Sequence, residues 1–509
     1  MLLISVWGCF MKKDSFFKDS IIMIVSNLAT GILGFIFSII LSKELGPEGM
    51  GLYGLVMPIY NLFICLICGG MVTAISKISA IYFGKKDYKN LNMTIKTVFI
   101  FDLILGVVIA GFFFISSDII GKYIIKDVRT FYSLKIIAPA LIFVALSSIL
   151  KGYFYGISKV SIPAFIDIFE KAVRIGVIVT LMKLLSSPNI TNTVTVAYIS
   201  LCIGELFSLI MLYIFYNLNK GKYYFTYSKR ESRPQLLFDV LVISLPLCLN
   251  GFLSTILSTI STLVVPRRLI AAGFQYSDAL SMIGKFSGMS LAIIFFPFLV
   301  VNSIVTILVP DLSKALDKKD YYSMERRITE VLTISFLLGM STLVIGLTIP
   351  NDLGQLFFKR SDLGSYISFA ALSAPLNYTA ATTFGVLNGL GKQGVLLRNS
   401  LAISLLEVLL LYIFTGIPSI NIYGYGITLL ITSSILLIAN VYEIRKKCNL
   451  IFKFSDIIIY CLLTILVYLI INIVNNIIPS SFFIFKNVFI ILFSFTFFLL
   501  SIILKNKES

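Results

Sequence analysis

The sequence predicts an all-α polytopic membrane protein of about 14 transmembrane helices, in which two parallel six-helix repeats surround a central cleft and two extra helices follow. Three observations predict this fold. The 509 residues are 58% hydrophobic and only 13% charged, which is more apolar surface than a water-soluble core can bury. Apolar stretches of membrane-crossing length recur along the whole chain, and one set of motifs occurs twice at a constant offset.

Apolar stretches follow one another from the beginning of the chain to its end. A helix needs about 20 apolar residues to cross a hydrocarbon layer of roughly 30 Å. Stretches of this order lie at 20–42, 53–76, 97–115, 136–150, 161–182, 194–216, 237–265, 287–309, 328–349, 366–390, 396–416, 423–442, 456–475 and 482–503. The connections between these spans are short, so the sequence has no room for a large soluble domain.

The formal net charge of +17 is best explained by membrane orientation. When alternate connections are assigned to one side, that side collects 28 of the 42 Lys and Arg residues and the other side collects 12. Cytoplasmic loops of membrane proteins carry such an excess of basic residues. We therefore expect a multi-pass protein of the cell membrane with both termini in the cytoplasm and no nucleic-acid partner.

The composition argues against catalysis. The sequence contains no His, which excludes His-based catalytic triads, His-ligated metals and His proton relays. It also has no phosphate-binding loop of the nucleotide-hydrolysing type. We expect no enzyme activity, no cofactor and no metal site. Energy for transport would come from a coupling ion, H+ or Na+, from the membrane potential or from the substrate gradient.

The chain contains an internal duplication. The tetrapeptide Lys85–Tyr88 recurs as Lys318–Tyr321, at an offset of 233 residues. The same offset continues without a gap through five further matches, namely Gly106 with Gly339, Gly121 with Gly354, Gly152 with Gly385, Gly156 with Gly389 and Lys159 with Lys392. Each copy contains six spans, an even number, so both copies enter the membrane in the same orientation and form a parallel repeat.

This duplication predicts the domain organisation. The sequence divides into a cytoplasmic N-terminal segment at 1–19, a first six-helix bundle at 20–219, a cytoplasmic linker at 220–235, a second bundle at 236–447, and helices 13 and 14 with a cytoplasmic tail at 448–509. Transporters built from such repeats place their substrate site between the halves. A duplicated membrane scaffold without transport activity is the alternative.

Charges inside the fifth span are the first candidates for a site. This span contains Asp167, Glu170, Lys171 and Arg174. An ionised group at the centre of a membrane costs at least about 2.5 kcal/mol, so these side chains must face a protein interior or a water-filled cavity. The spacing predicts two ion pairs at i, i+4, Asp167 with Lys171 and Glu170 with Arg174. Such a cluster is expected to bind substrate or a coupling ion, with a purely structural role as the alternative.

The duplication adds a candidate in the second half. The offset carries Arg174 onto Glu407 in the eleventh span, so the halves place opposite charges at equivalent positions facing the predicted cleft. Glu205 in the sixth span and Lys77 near the inner end of the second span are further candidates. Two other acidic residues are interpreted as members of structural ion pairs, and these are Asp102 and Asp239.

Two further motifs have both a functional and a structural interpretation. Arg267 and Arg268 lie on a predicted outer connection, and guanidinium groups suit a pyrophosphate, although a solvated loop is the alternative. Small residues four apart allow close helix packing in membranes, which is the first interpretation of two matched pairs. The alternative is that these four residues form a flexible inner gate, and they are Gly152 with Gly156 and Gly385 with Gly389.

Three motifs in the sequence resemble the stage V sporulation protein B family. They are Leu45–Tyr53, Pro266–Leu269 followed by Ala271–Gly273, and Leu308–Ser313, and the resemblance covers roughly Lys12 to Lys447. That family belongs to the polysaccharide transporter branch of the superfamily that also contains multidrug and toxin extrusion (MATE) pumps and the lipid II flippase MurJ.

The resemblance implies a flippase-like transporter that moves an undecaprenyl-pyrophosphate-linked saccharide, a peptidoglycan precursor, by alternating access for spore cortex synthesis. Its partners would be the lipid bilayer and the lipid-linked saccharide, and we expect a monomer. A cation-coupled MATE-type exporter and a capsular or exopolysaccharide flippase are the alternatives. The first span departs from MurJ, whose cavity uses basic residues there, because 27–41 is uncharged. Any anion-binding role therefore moves to other cations, namely Lys77, Lys171, Arg174, Arg267 or Arg268.

Overall fold

The computed structural model describes residues 15–184, 189–220, 231–448 and 454–508. Within these ranges the regular structure is helical and contains no β-strand. Most of the predicted N-terminal segment at 1–19 and of the predicted linker at 220–235 lies outside the described residues, and the proposed domain boundaries stay predictions.

The described ranges contain eighteen α-helices. In chain order they are α1 Ser15–Cys68, α2 Met71–Gly84, α3 Tyr88–Ile119, α4 Phe131–Gly156, α5 Ser161–Leu184, α6 Ile190–Lys220, α7 Arg233–Ala271, α8 Tyr276–Ile283, α9 Leu291–Phe295, α10 Phe298–Asp317, α11 Tyr321–Thr348, α12 Pro350–Phe358, α13 Gly364–Ala371, α14 Ala374–Gly389, α15 Gln393–Phe414, α16 Tyr423–Arg445, α17 Phe454–Ile477 and α18 Phe483–Glu508.

These helices account for the predicted spans. Twelve stretches of the described chain are long and apolar enough to cross a membrane. One of them, Ile21–Gly84, contains two crossings, because α1 kinks at Gly46, where φ is 66°. The charged helix α5 adds a crossing, α13 and α14 together make one, and α8 to α10 make one broken crossing. Read in this way, the described part of the chain provides fourteen candidate crossings, the number that the sequence predicts.

The duplication is visible in the backbone. Three pairs of residues with positive φ are each separated by 233 positions, and they are Lys86 (56°) with Lys319 (57°), Lys126 (65°) with Lys359 (54°), and Ser158 (57°) with Gly391 (71°). Few non-glycine residues adopt a positive φ, so coincidence is a poor explanation for this match. The helix caps agree as well, because Asp87 accepts a hydrogen bond from the Asn90 amide and Asp320 accepts one from the Ser323 amide.

The paired glycines pack in the same way in both halves. A Cβ added to Gly156 would lie 2.5 Å from the Ser76 carbonyl oxygen, and one added to Gly389 would lie 3.0 Å from the Val309 carbonyl oxygen. Ser76 and Val309 are themselves 233 residues apart. These glycines therefore allow α4 to approach α2, and α14 to approach α10, at backbone distance. Their additional role as an inner gate stays a prediction.

A reciprocal contact joins the halves at the predicted outer end. A Cβ on Gly51 would overlap the carbonyl oxygen of Leu280, and one on Gly284 would overlap that of Pro47. The offset of 233 relates Gly51 to Gly284 and Pro47 to Leu280. Reciprocal contacts of this kind arise around a two-fold axis. The halves are thus related by a pseudo-two-fold axis that passes between the starts of the second and eighth crossings.

The last two helices lie outside the duplication and pack on the second half. Both α17 and α18 contact α11. The hydroxyls of Ser341 and Ser494 are 2.9 Å apart, and the ammonium of Lys486 lies 3.3 Å from the carboxylate of Asp352 next to α11. The structure therefore confirms the predicted arrangement of two six-helix repeats plus two helices.

Candidate functional site

A network of charged side chains lies inside the first half, on α4, α5 and α6. Its centre is Arg174, whose side chain is only 10% exposed. Nη2 of Arg174 donates to Oε1 of Glu170, and it lies 3.1 Å from Oε1 of Glu205 on α6. The predicted pair at i, i+4 between Glu170 and Arg174 is therefore confirmed, and Glu205 joins it from the neighbouring helix.

The other predicted pair is wrong. Asp167 lies 2.7 Å from the ammonium of Lys151 on α4, whereas Lys171 lies 3.1 Å from Oε2 of Glu170. Lys151 was missed because the sequence places it just beyond the end of the fourth span, in a connection where a basic residue is unremarkable. The helix α4 extends to Gly156, so Lys151 lies within that helix and can reach α5.

The network has a glycine and an aromatic ring as neighbours. A Cβ on Gly204 would lie 2.9 Å from Oε1 of Glu170, so a larger residue at this point of α6 would force the Glu170 carboxylate to shift. The guanidinium of Arg174 also lies 6.0 Å from the ring centroid of Phe37 on α1. The network therefore lies between α1, α5 and α6. It connects the fifth crossing to helices at the interface between the halves.

The network is electrically balanced, since it contains three acids and three bases. Buried ion pairs recover their desolvation cost only when further hydrogen bonds satisfy them. Nε of Arg174 has no hydrogen-bond partner among the described residues, and the same is true of the hydroxyl of the nearby Tyr60. The interior of the first half therefore contains two donors that a polar ligand can use.

Glu407 occupies the equivalent position on α15 in a different environment. Its side chain is half-buried, and no basic group of the described residues lies within 4.0 Å of its carboxylate. Arg174 is instead neutralised within its own half. The expectation that Arg174 and Glu407 both face the central cleft stays a prediction.

The remaining cations differ in what they contact. Lys77 is exposed on α2. Arg267 donates to the carbonyl oxygen of Ile124 in the first half, and Nε of Arg268 donates to the carbonyl oxygen of Tyr412 at 2.8 Å. These arginines therefore bind backbone carbonyls at the predicted outer ends of the helices, and Arg267 connects the two halves. An additional role in anion binding stays a prediction.

A loop ion pair also lies at this end of the second half. The ammonium of Lys285 lies 2.8 Å from the carboxylate of Asp362, which accepts two hydrogen bonds from Arg360. The hydrogen bonds from Arg360 lower the pKa of Asp362 below its usual value, and Lys285 contributes to the same shift. This pair fixes the connection that precedes α13.

Two acidic residues differ from expectation. Asp102 is fully buried in α3, and neither carboxylate oxygen has a hydrogen-bond partner in the described part of the chain. The structural ion pair expected for Asp102 is therefore wrong. Asp239 accepts a hydrogen bond from Gln235 at 2.8 Å on the surface of α7. No pattern in the sequence indicates that Asp102 is isolated, because its surroundings depend on how the neighbouring helices pack.

The fold and the buried charges define a class of protein, a multi-pass membrane protein built from two parallel six-helix repeats. Comparison with known proteins gives the family. Residues 16–316 match the model of the polysaccharide biosynthesis protein family, so the chain belongs to that family.

Individual relatives agree with this assignment. The chain is 25% identical to "Stage V sporulation protein B" of Bacillus subtilis (strain 168) over 88% of this chain and 86% of that protein. It is 21% identical to "Lipid II flippase MurJ" of the same organism, over 74% of this chain and 73% of that protein. A solved structure of lipid II flippase MurJ in an inward closed conformation superposes with a TM-score of 0.69 and 13% identity, covering 95% of this chain and 100% of that chain. The resemblance stated from the sequence motifs is confirmed.

Proposed function

We propose that this membrane protein moves an undecaprenyl-pyrophosphate-linked saccharide across the cell membrane by alternating access, for spore cortex peptidoglycan synthesis. The observation that carries the proposal is the buried charge network of α4 to α6 in a chain whose relatives include a sporulation protein and a lipid II flippase. Ionisable groups within membrane crossings are retained for function more often than for stability.

The proposed site comprises the network and the acidic residue of the second half. Arg174 and Lys171 would attract the pyrophosphate, while Glu205 and Glu407 would bind a coupling ion, H+ or Na+. Because Arg174 is already bonded to Glu170 and Glu205, an arriving anion has to compete with both carboxylates. This competition would couple cargo binding to protonation or cation binding at the acids. The protein would act as a monomer.

Complementation tests this assignment. In a spore-forming bacterium that lacks its own copy of the gene, we expect Arg174→Ala to fail to restore the cortex although it is expressed normally, because the buried acids lose their shared partner. Arg326→Ala is the matched control, since Arg326 forms an exposed ion pair with Glu330 at 2.9 Å. Full cortex formation with Arg174→Ala would refute the site assignment.

A cation-coupled exporter is the second candidate. The observation in its favour is Glu407, a half-buried carboxylate without a basic neighbour among the described residues, which suits a cationic substrate. Overexpression that confers resistance to organic cations, and loss of this resistance in Glu407→Gln, would support that candidate over the flippase.

A further inference from the structure

A second charged cluster lies at the predicted inner end of the second half, away from the network described above. Its centre is Glu443 near the end of α16, whose side chain is only 8% exposed. Three cations surround its carboxylate, with Arg398 at 3.0 Å, Lys446 at 3.1 Å and Lys392 at 4.0 Å. We call these four residues the Glu443 clamp. One anion among three cations leaves the clamp with two excess positive charges.

A series of hydrogen bonds through buried side chains supports the Glu443 clamp. Arg398 donates to Oδ1 of Asn399, Asn399 donates to Oδ1 of Asn440 at 2.9 Å, and Asn440 donates to the hydroxyl of Thr383 at 3.0 Å. All three of the uncharged residues are buried. A buried polar group is costly unless it is hydrogen-bonded, and each residue in this series has a partner. The series of hydrogen bonds therefore holds the guanidinium of Arg398 in place.

The first half lacks this arrangement at the equivalent positions. The positions 233 residues earlier hold Phe165 in place of Arg398, Ile166 in place of Asn399 and Leu150 in place of Thr383. Phe165 is exposed, whereas the other two are buried. The helices themselves align, because α5 begins at 161 and α15 at 393. Among the clamp residues, Lys392 has a basic counterpart in Lys159, whereas Glu443 and Lys446 correspond to Ile210 and Tyr213. The complete clamp is therefore a feature of the second half and does not follow from the shared fold.

The clamp points its cations outward. The side chains of Arg398 and Lys446 are 65% and 47% exposed. Nη1 of Arg398 donates no hydrogen bond within the described ranges, and the ammonium of Lys446 lies 4.4 Å from the ring centroid of the exposed Tyr442. Tyrosine and basic side chains together are typical of the headgroup level of a membrane.

We propose that the Glu443 clamp binds the phosphate of an anionic phospholipid at the predicted inner surface. Basic pockets between transmembrane helices on the cytoplasmic side suit such headgroups, and arginine binds phosphate oxygens through paired donors. The buried carboxylate holds the cations together in the absence of lipid. The headgroup then satisfies their remaining donors and anchors the second half at the membrane surface.

The test measures lipid binding to the full chain in detergent. Native mass spectrometry with added phosphatidylglycerol, phosphatidylcholine or inorganic phosphate compares the wild type with Arg398→Gln/Lys446→Gln. The double variant loses two cations that can contact the lipid phosphate, so we expect it to bind phosphatidylglycerol roughly thirtyfold more weakly. Phosphatidylcholine binding should not change.

Two controls keep the result interpretable. Arg326→Gln removes an exposed cation of the same predicted side and should bind phosphatidylglycerol like the wild type. Lys446→Arg keeps the positive charge and should also bind phosphatidylglycerol like the wild type. This control shows that a loss of binding in the double variant comes from the lost charges. Equal phosphatidylglycerol binding by the double variant and the wild type would overturn the proposal. Saturable binding of inorganic phosphate without a preference for phosphatidylglycerol would assign the clamp to a soluble anion and overturn it as well.

Discussion

At the scale of single residues, the charge network shows which contacts a sequence can predict. Glu170 and Arg174 share one helix four positions apart, so their pairing follows from helical geometry alone. Lys151 and Glu205 come from other helices, and their contacts depend on how α4 and α6 pack against α5. The same reason explains why the sequence paired Asp167 with the wrong lysine.

The contact between Lys151 and Asp167 gives a residue-scale prediction. In Lys151→Met the carboxylate of Asp167 loses its partner within a membrane crossing, so the thermal stability in detergent should fall. Adding Asp167→Leu removes the stranded charge and should restore part of the loss, with a coupling on the order of 1 kcal/mol. Effects of Lys151→Met and Asp167→Leu on the melting temperature that simply add in the double variant would show that the two side chains do not interact.

At the scale of helices, the duplication is the most informative pattern. The repeated glycines, helix caps and positive-φ residues lie at positions that one sequence offset relates. Their equivalence can therefore be inferred from the sequence. The reciprocal contact of Gly51 and Gly284 obeys the same offset, but nothing in the sequence says that these glycines meet across the interface. Inter-half distances depend on the rotation between the repeats, which a linear pattern does not contain.

This contact gives a prediction for the helix interface. Gly284→Ala would place a methyl group against the backbone of Pro47, and overpacking of this kind typically costs about 1–3 kcal/mol. We expect a lower melting temperature and reduced transport, because the halves can no longer close at the predicted outer end. Gly34→Ala is the matched control, since a Cβ on Gly34 has no neighbour within 4 Å in the described structure. A normal melting temperature for Gly284→Ala would contradict the close contact.

At the scale of the whole molecule, the two halves share a fold but differ in charge. The first half holds six ionised side chains in a network around Arg174, whereas the second half has Glu407, which has no basic neighbour among the described residues, and the Glu443 clamp at its inner end. The fold class and family followed from hydropathy, the duplication and three motifs. Cargo did not, because the relatives share a fold with this chain at low sequence identity.

Reconstitution tests the central claim most directly. The purified protein would be placed in liposomes with fluorescent lipid II, with undecaprenyl-pyrophosphate carrying other glycans, or with a fluorescent organic cation. We predict translocation of lipid II by the wild type and at least about a tenfold slower rate for Arg174→Ala, which corresponds to the loss of about 1.4 kcal/mol. Export of the organic cation without translocation of any lipid-linked saccharide would contradict the account.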